Sequence, residues 1–462
     1  MLRVLFFLFS IVMSQCLCGQ NAGDGRPPLR FTRFSENYSF LADSTKRTER
    51  WDALKYIELG GKDDHYLTLG SDVRYLYDLR ENSDSPARNR HLLRLMVHAD
   101  LHLGKQWRFF VQPASNHLFA GNGVERIVDE DRLFLLNAFA DVRLAGTSEA
   151  EWRMRVGRFE LNYGSGRFIT VREGPNVRQY WEGLRLRRRT KQWRADFWLT
   201  QFGSNRAGVF DNPVLDSPQT FWGSYWSWSG KQNQPTFDAY YLGLRNENRV
   251  FFAVGGLEVR HTLGARVANE VNGWDYDVDL TGQAGDTEGQ PIRAWGFGSS
   301  VGYTYQLRNE RVLRAGIKLD AWSGDRDSTD ARNNAFNPLY PRQGYYQGAG
   351  ALFPSNFIDV HPSLTYVPSP QWQLVAELSF YWRTSTQDGI YFGGGGQPGL
   401  PPALPAKQYL GRQLGATVTY RPTRNSYLTL LYSHFSAGDF VVQNRTPAEI
   451  EHFVNLILCY RI

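Results

Sequence analysis

The chain has 462 residues and a net charge of +6, built on 44 arginines but only 8 lysines. Aromatic residues make up 15% of it, yet mean hydropathy is −0.45, a combination that fits strands whose two faces meet different media. After the first twenty residues no stretch approaches the ~18 apolar residues of a membrane-spanning helix, and Cys459 is the only cysteine left, so a transmembrane helix and an intrachain disulfide framework are both excluded.

In chain order, MLRVLFFLFSIVMSQCLCGQ (1–20) reads as a secretory signal peptide. Arg3 is its charged start, and Val4 to Met13 is an apolar stretch too short to span a bilayer. Cleavage is expected near Cys18 to Gln20. A lipoprotein acylated at Cys16 or Cys18 is the alternative, with Gln15 and Leu17 as poor preceding residues. Residues 21–60 form a separate N-terminal, plug-like periplasmic segment in which 45–58 alone shows helix-like periodicity.

From residue 61 the period is two. Leu67, Leu69, Val73, Tyr75, Tyr77 and Leu79 alternate with Thr68, Gly70, Asp72, Arg74 and Asp78. Leu93, Leu95, Val97, Ala99, Leu101 and Leu103 then face away from Arg94, His98, Asp100 and His102. Further strands are expected over 106–117, 132–144, 151–163, 182–190, 191–202, 236–245, 251–262 and 272–281. The last group covers 293–307, 312–323, 356–367, 371–383, 409–421, 426–436 and 450–462. Each is near the ~10 residues that a tilted membrane strand needs. Short connections such as Gly104-Lys105 and Thr190-Lys191 suit periplasmic turns, and long ones at 81–90, 118–131, 203–235, 282–292, 324–355 and 386–407 suit extracellular loops.

The fold class expected is all-β: one transmembrane antiparallel barrel of about 18 strands over 61–462. A secreted β-sandwich or lectin array shares the alternation, but rarely strings so many strands together without a linker. A propeller needs a fixed repeat that is absent here. Val454, Leu456, Leu458, Tyr460 and Ile462 share one face of the last strand, the pattern that the barrel-assembly machinery requires.

The charged face carries the functional reading. In EWRMRVGRFELNYGSGRF (151–168), Trp152, Met154 and Val156 alternate with Arg153 and Arg155, whereas Phe159, Leu161 and Tyr163 have switched parity. A bulge at Gly157 would produce that switch and keep Arg158, Glu160 and Asn162 in the lumen. Between 153 and 194 twelve basic side chains meet three acidic ones, a local +9 that exceeds the charge of the whole chain. Arginine on a lipid face costs about 2–4 kcal/mol near the midplane, so these residues belong inside, where rings of them select anions. A guanidinium fork also grips a carboxylate with two hydrogen bonds.

The candidate pore residues are Asp72, Arg74, Arg94, Arg153, Arg155, Arg158, Glu160, Arg167, Arg178, Glu182, Arg185 and Arg187, the acids moderating the grip of the arginines. The alternatives are arginines that merely pair with lumen acids, or that meet lipopolysaccharide phosphates at the rim. His98, Asp100 and His102 suit solvated lumen lining better than a metal site. FWGSYWSWSG (221–230) fits an interfacial aromatic girdle better than a sugar-stacking mouth. No nucleophile–base cluster and no phosphate-cradling glycine loop occurs, GGGG at 393–396 lacking the flanking context, so no catalysis, cofactor, metal or nucleic-acid ligand is expected.

RFSENYSFLADSTKRTERWDALKYIEL (33–59), YLTLGSDVRYLYDL (66–79), VGRFELNYGSGRF (156–168), VREGPNVRQYWEGLRL (171–186) and FNPLYPRQGYYQG (336–348) together resemble the alginate export family of outer-membrane porins, in its Bacteroidetes-type form. The resemblance implies an 18-stranded monomeric barrel with an electropositive constriction, in the outer membrane of a Gram-negative bacterium. It also implies passive export of a uronic-acid polysaccharide, gated by loops on both sides. Asp72 and Arg74 fall in the first-strand motif, Arg158, Glu160 and Arg167 in the glycine–arginine motif, and Arg178 in the segment after it. The chain departs from the family pattern at Phe159, where glutamine is frequent, and at Tyr180-Trp181-Glu182, where Phe-Asp is frequent. A glycan-binding adhesin and a general uptake porin for anions or sugar acids remain as alternative functions.

Overall fold

Leu93, Leu95 and Val97 point out of the wall and are each more than a third exposed, whereas Arg94, Met96 and His98 between or beside them are buried. A sheet in lipid needs this inversion, because hydrocarbon solvates neither charge nor an unpaired backbone edge. The computed structural model describes residues 26–462 except 62–63, 83–84, 124–125, 148, 231–232, 253, 328, 347–351, 393–396, 403–406 and 445–450. The stretch 1–20, expected to be a signal peptide, and the GGGG run therefore lie outside the described residues.

Among those residues eighteen strands form the wall. They begin with β1 (His65–Asn82), β2 (Ser85–Leu103), β3 (Trp107–Gly121), β4 (Asp131–Gly146), β5 (Ala150–Phe159) and β6 (Trp181–Thr190). β7 (Trp193–Phe202), β8 (Gln219–Ser229), β9 (Thr236–Val250), β10 (Gly255–Val271), β11 (Trp274–Thr287) and β12 (Gln290–Gln306) follow. The last are β13 (Val312–Trp322), β14 (Phe357–Ser369), β15 (Trp372–Trp382), β16 (Tyr409–Thr423), β17 (Ser426–Ala437) and β18 (His452–Arg461). Neighbours in sequence pair antiparallel, and β18 returns to β1 with Leu458 opposite Tyr75, which closes the barrel.

Several boundaries differ from the sequence expectation. The loops expected at 81–90 and 282–292 are mostly strand: β11 and β12 meet in a tight turn at Glu288-Gly289, both at positive φ. The long loop expected at 203–235 contains β8, the FWGSYWSWS segment itself. Phe221 and Tyr225 of β8 face in while Trp226 faces out, so aromatics on both faces hide the alternation. The segment 45–58 forms short turns and a single helical turn at Asp52–Lys55 rather than one helix.

No bulge forms at Gly157. β5 pairs continuously with β4 from Arg153 to Arg158 and with β6 along its whole length, Gly157 lying opposite Phe139 on β4 and opposite Gly183 on β6. Strict alternation therefore puts Arg153, Arg155, Gly157 and Phe159 on the lumen face, and Val156 and Arg158 on the outer one. The parity switch has another cause: Phe159 is an aromatic that packs inward, and after it the chain leaves the wall.

The N-terminal segment is tied across the seam between β1 and β18. The Arg33 guanidinium donates to the Ser71 carbonyl (3.2 Å) and to an Ile462 oxygen (2.8 Å), and Arg26 grips both Asp52 oxygens at 2.6 and 2.7 Å. Phe34 enters the barrel edge-on to Phe110 and Phe139, with ring centroids 5.7 and 5.3 Å away.

Candidate substrate-binding site in the barrel lumen

Residues 160–180 join β5 to β6, but they fold into the lumen instead of outward. Aromatic packing holds them there: Tyr163 stacks on Trp198 and Tyr225 at 5.0 and 4.8 Å, and Phe168 meets Trp322 edge-on at 5.7 Å. Gly164 and Gly166, at positive φ, make the turn that brings the chain back. The connection between β13 and β14 folds in beside it, the Tyr340 N–H donating to the Phe168 carbonyl at 2.9 Å.

This inward segment carries Glu173 into a group of four guanidiniums drawn from three strands and from the segment itself. Arg94 of β2 hydrogen-bonds directly to its carboxylate. Arg178 lies 3.4 Å from it, and Arg74 of β1 and Arg461 of β18 each 3.7 Å. Burial opposes ionisation of Glu173, but the four cations outweigh it and hold the carboxyl well below the usual range. The neighbouring Glu160 has one such partner, Arg178 at 2.8 Å, and burial pushes it up to about 7. Arg461 is also fixed by Asp72 at 2.6 Å. The two terminal nitrogens of Arg74 also donate to the Glu173 and Pro175 carbonyls (2.5 and 2.7 Å), which pins the segment to the wall.

The structure thus brings Asp72, Arg74, Arg94, Glu160 and Arg178 together. Arg155 and Arg185 face each other across β5 and β6 on the lumen wall. Arg155 forms a two-point pair with Asp141 (2.7 and 2.8 Å), while Arg185, Arg187 and Arg194 share the single carboxylate of Asp196 at 3.1 to 3.3 Å. Arg153 sits near the short-turn end, paired with Glu151 at 2.9 Å. Arg167 is separate, bound to Asp277 at 2.5 Å and near Asp279 and Asp320. Arg158 and Glu182 pair with each other on the outer face and do not line the lumen. Sequence reasoning missed Arg461, Asp196 and the central place of Glu173. Arg461 was legible by alternation with the outward Tyr460.

The local excess of positive charge is smaller in space than in sequence, because acids arrive from distant strands. It is also uneven. Around Glu173 and Asp196 guanidiniums crowd shared carboxylates, whereas Arg167 and Arg266 face Asp238, Asp277, Asp279 and Asp320; elsewhere the two kinds mix, Arg249 and Arg260 sharing Glu258 and Arg108 reaching both Asp100 and Asp141. The His98–Asp100–His102 trio does not converge on one point: Asp100 pairs with Arg108 at 2.7 Å and lies 3.2 Å from His102, while His98 stacks on Phe110. Among the described residues no cluster has the make-up of a metal site.

The sequence profile of the alginate export family matches residues 65–455. The chain belongs to the alginate export family. Membership places it in the outer membrane, and the family and fold are those of channels. None of the curated proteins matches the chain. Among solved structures it is similar to Pseudomonas aeruginosa OccK11 (OpdR), with 12% identity, a TM-score of 0.55, and 86% of this chain and 96% of that one covered. Acinetobacter baumannii OccAB1 gives 12% identity, a TM-score of 0.56, and the same coverage. P. aeruginosa OccK2 (OpdF), in complex with glucuronate, gives 9% identity and a TM-score of 0.56, covering 86% and 98%. At these identities the likeness is one of fold alone, and it agrees with the closed eighteen-stranded wall.

Proposed function

We propose that this family member is a passive, monomeric outer-membrane channel for anionic saccharides of the uronic-acid type, polymeric or short. The observation that carries this reading is Glu173: the lumen holds a carboxylate among Arg74, Arg94, Arg178 and Arg461, and a uronate presents the same group. Family membership supports it, as does the glucuronate bound to OccK2, a protein of the same fold. A substrate carboxylate would exchange with Glu173, so the internal acid keeps the arginines from holding a passing anion too long. Direct export to the outer membrane by a leader at 1–20 and insertion by the barrel-assembly machinery belong to this reading.

The test is planar-bilayer recording with added uronate oligomers. Oligomers should block the current, and Arg94→Gln with Arg178→Gln should weaken block by about tenfold or more, since each removes a charge-assisted contact of roughly 1.5–3 kcal/mol. Cation preference, or block untouched by both variants, would sink the proposal. The aromatic packing that fills much of the lumen favours a second reading, a glycan-binding barrel; that protein would bind uronate oligomers and conduct nothing.

Residues 26–59 are proposed to plug the periplasmic mouth. Phe34 lies within the lumen, the Arg108 guanidinium donates to its carbonyl at 2.7 Å, and the Arg155 guanidinium sits 4.6 Å above its ring. Phe34→Ala should raise single-channel conductance, and deletion of 26–59 should raise it further. Equal conductance in all three forms would show that the segment does not obstruct the path.

A further inference from the structure

The Arg158–Glu182 pair stands where a barrel should tolerate no charge. Val156 and Leu184, one step below it on β5 and β6, are opposite each other and exposed on the lipid-facing side, so Arg158 and Glu182 share their face. Glu182 lies eight residues above the short turn that follows Thr190. At ~3.3 Å per residue and a tilt near 40° that is roughly 20 Å, inside an apolar band ~25 Å tall. Yet the two side chains are only 10% and 7% exposed.

The connection between β7 and β8, residues 203–218, covers Glu182, while Arg158 lies over the Tyr180 ring at 4.3 Å. β5 leaves the wall at Phe159, so the upper part of β4 has no neighbour on that side, and this connection takes the vacated place. Val209 forms a parallel bridge with Leu133 of β4, and the Phe210 N–H donates to the Leu133 carbonyl at 2.7 Å. The Asn212 side chain donates to Asp131 at 2.7 Å, and the Leu215 N–H donates to Glu182 at 2.6 Å. The outward surface of the same connection carries Val209, Phe210, Val214 and Leu215, each 58–69% exposed, with Asp211 exposed between the two apolar pairs.

We infer that residues 207–215 are a lipid-contacting patch of barrel wall, a seal docked on β4 and Glu182, whose occupant is the acyl chains of the outer leaflet. An aqueous loop gains nothing from exposing Val209, Phe210, Val214 and Leu215, while a wall element at this depth requires such side chains. The patch continues the outward apolar face of β7, where Leu199 is exposed by 58%. The seal is independent of what passes through the lumen.

The test places a nitroxide at Phe210→Cys in the full chain in bilayers and compares collision with oxygen, which enriches in hydrocarbon, against a water-soluble nickel chelate. Leu199→Cys on the lipid face and Thr329→Cys in an exposed connection are the references, with any label on the unsubstituted chain subtracted. Position 210 should match position 199, oxygen exceeding nickel several-fold. A profile like that of position 329 overturns the inference, and so does low access to both probes, which would mean a protein partner covers the patch. Glu182→Gln together with Phe210→Cys should raise nickel access at 210 several-fold by releasing the dock. Unchanged access would remove Glu182 from the seal.

Discussion

Glu173→Gln should shift the reversal potential in a salt gradient toward the anion limit and tighten block by uronate oligomers by about tenfold or more, roughly 1.4 kcal/mol or more. The substitution removes the one carboxylate shared by Arg74, Arg94, Arg178 and Arg461. A unit charge at ~4 Å acts with about 4 kcal/mol at an effective dielectric of 20, so its loss outweighs any small shift of the segment. The segment itself stays docked, because Arg74 holds main-chain carbonyls and the Asn176 side chain donates to the Asp129 carbonyl at 3.0 Å. The variant thus separates charge from position. An unchanged reversal potential with unchanged block would show that the arginine group lies off the conduction path.

Gly157→Val should abolish assembly, and Gly157→Ala should already lower the yield of the heat-modifiable folded band sharply. Gly157 has φ +130°, and a Cβ there would lie 2.3 Å from the Ala138 carbonyl oxygen and 2.9 Å from the Phe139 Cα. Its cross-strand neighbour Gly183, at φ +149°, is as crowded against the Leu199 carbonyl at 2.2 Å. Such a conformation is essentially restricted to glycine and costs other residues roughly 1–3 kcal/mol, and the clash with β4 backbone adds to that. Val156→Leu, one residue away and facing lipid, should assemble normally and serves as the control. Normal yield and melting of Gly157→Ala would show that the ladder can shift to make room.

The same glycine explains where the sequence was legible and where it was not. Alternation exposed the wall from β1 to β3 and the sides of most later strands, because there the two faces see lipid and charged lumen. It failed where the lumen is itself apolar. Phe159, Trp181, Phe221 and Tyr225 pack against aromatics of the inward connections, so hydropathy no longer distinguishes inside from outside. For that one reason alternation inverts the parity of Arg158 and reads β8 as a loop. Asp72, Arg74, Arg94 and Arg178 were legible as charged residues of one face or one motif. Their assembly was not, because its contacts link positions as far apart as Asp72 and Arg461, 389 residues away in the chain. Counting charge along the chain overstated the excess for the same reason, since Asp141, Asp196 and Asp277 neutralise arginines from other strands.

An excess of guanidiniums around Glu173 and Asp196, and of carboxylates around Arg167 and Arg266 on other strands, gives the lumen a field component across its axis. Small cations and anions would then keep to different parts of the wall, as traffic in two lanes. A uronate, whose charge sits on one edge of its ring, would travel with that edge turned to the arginine side. Under the proposed function it would lose its freedom to tumble on entry, and successive sugars of one strand would have to present themselves the same way round.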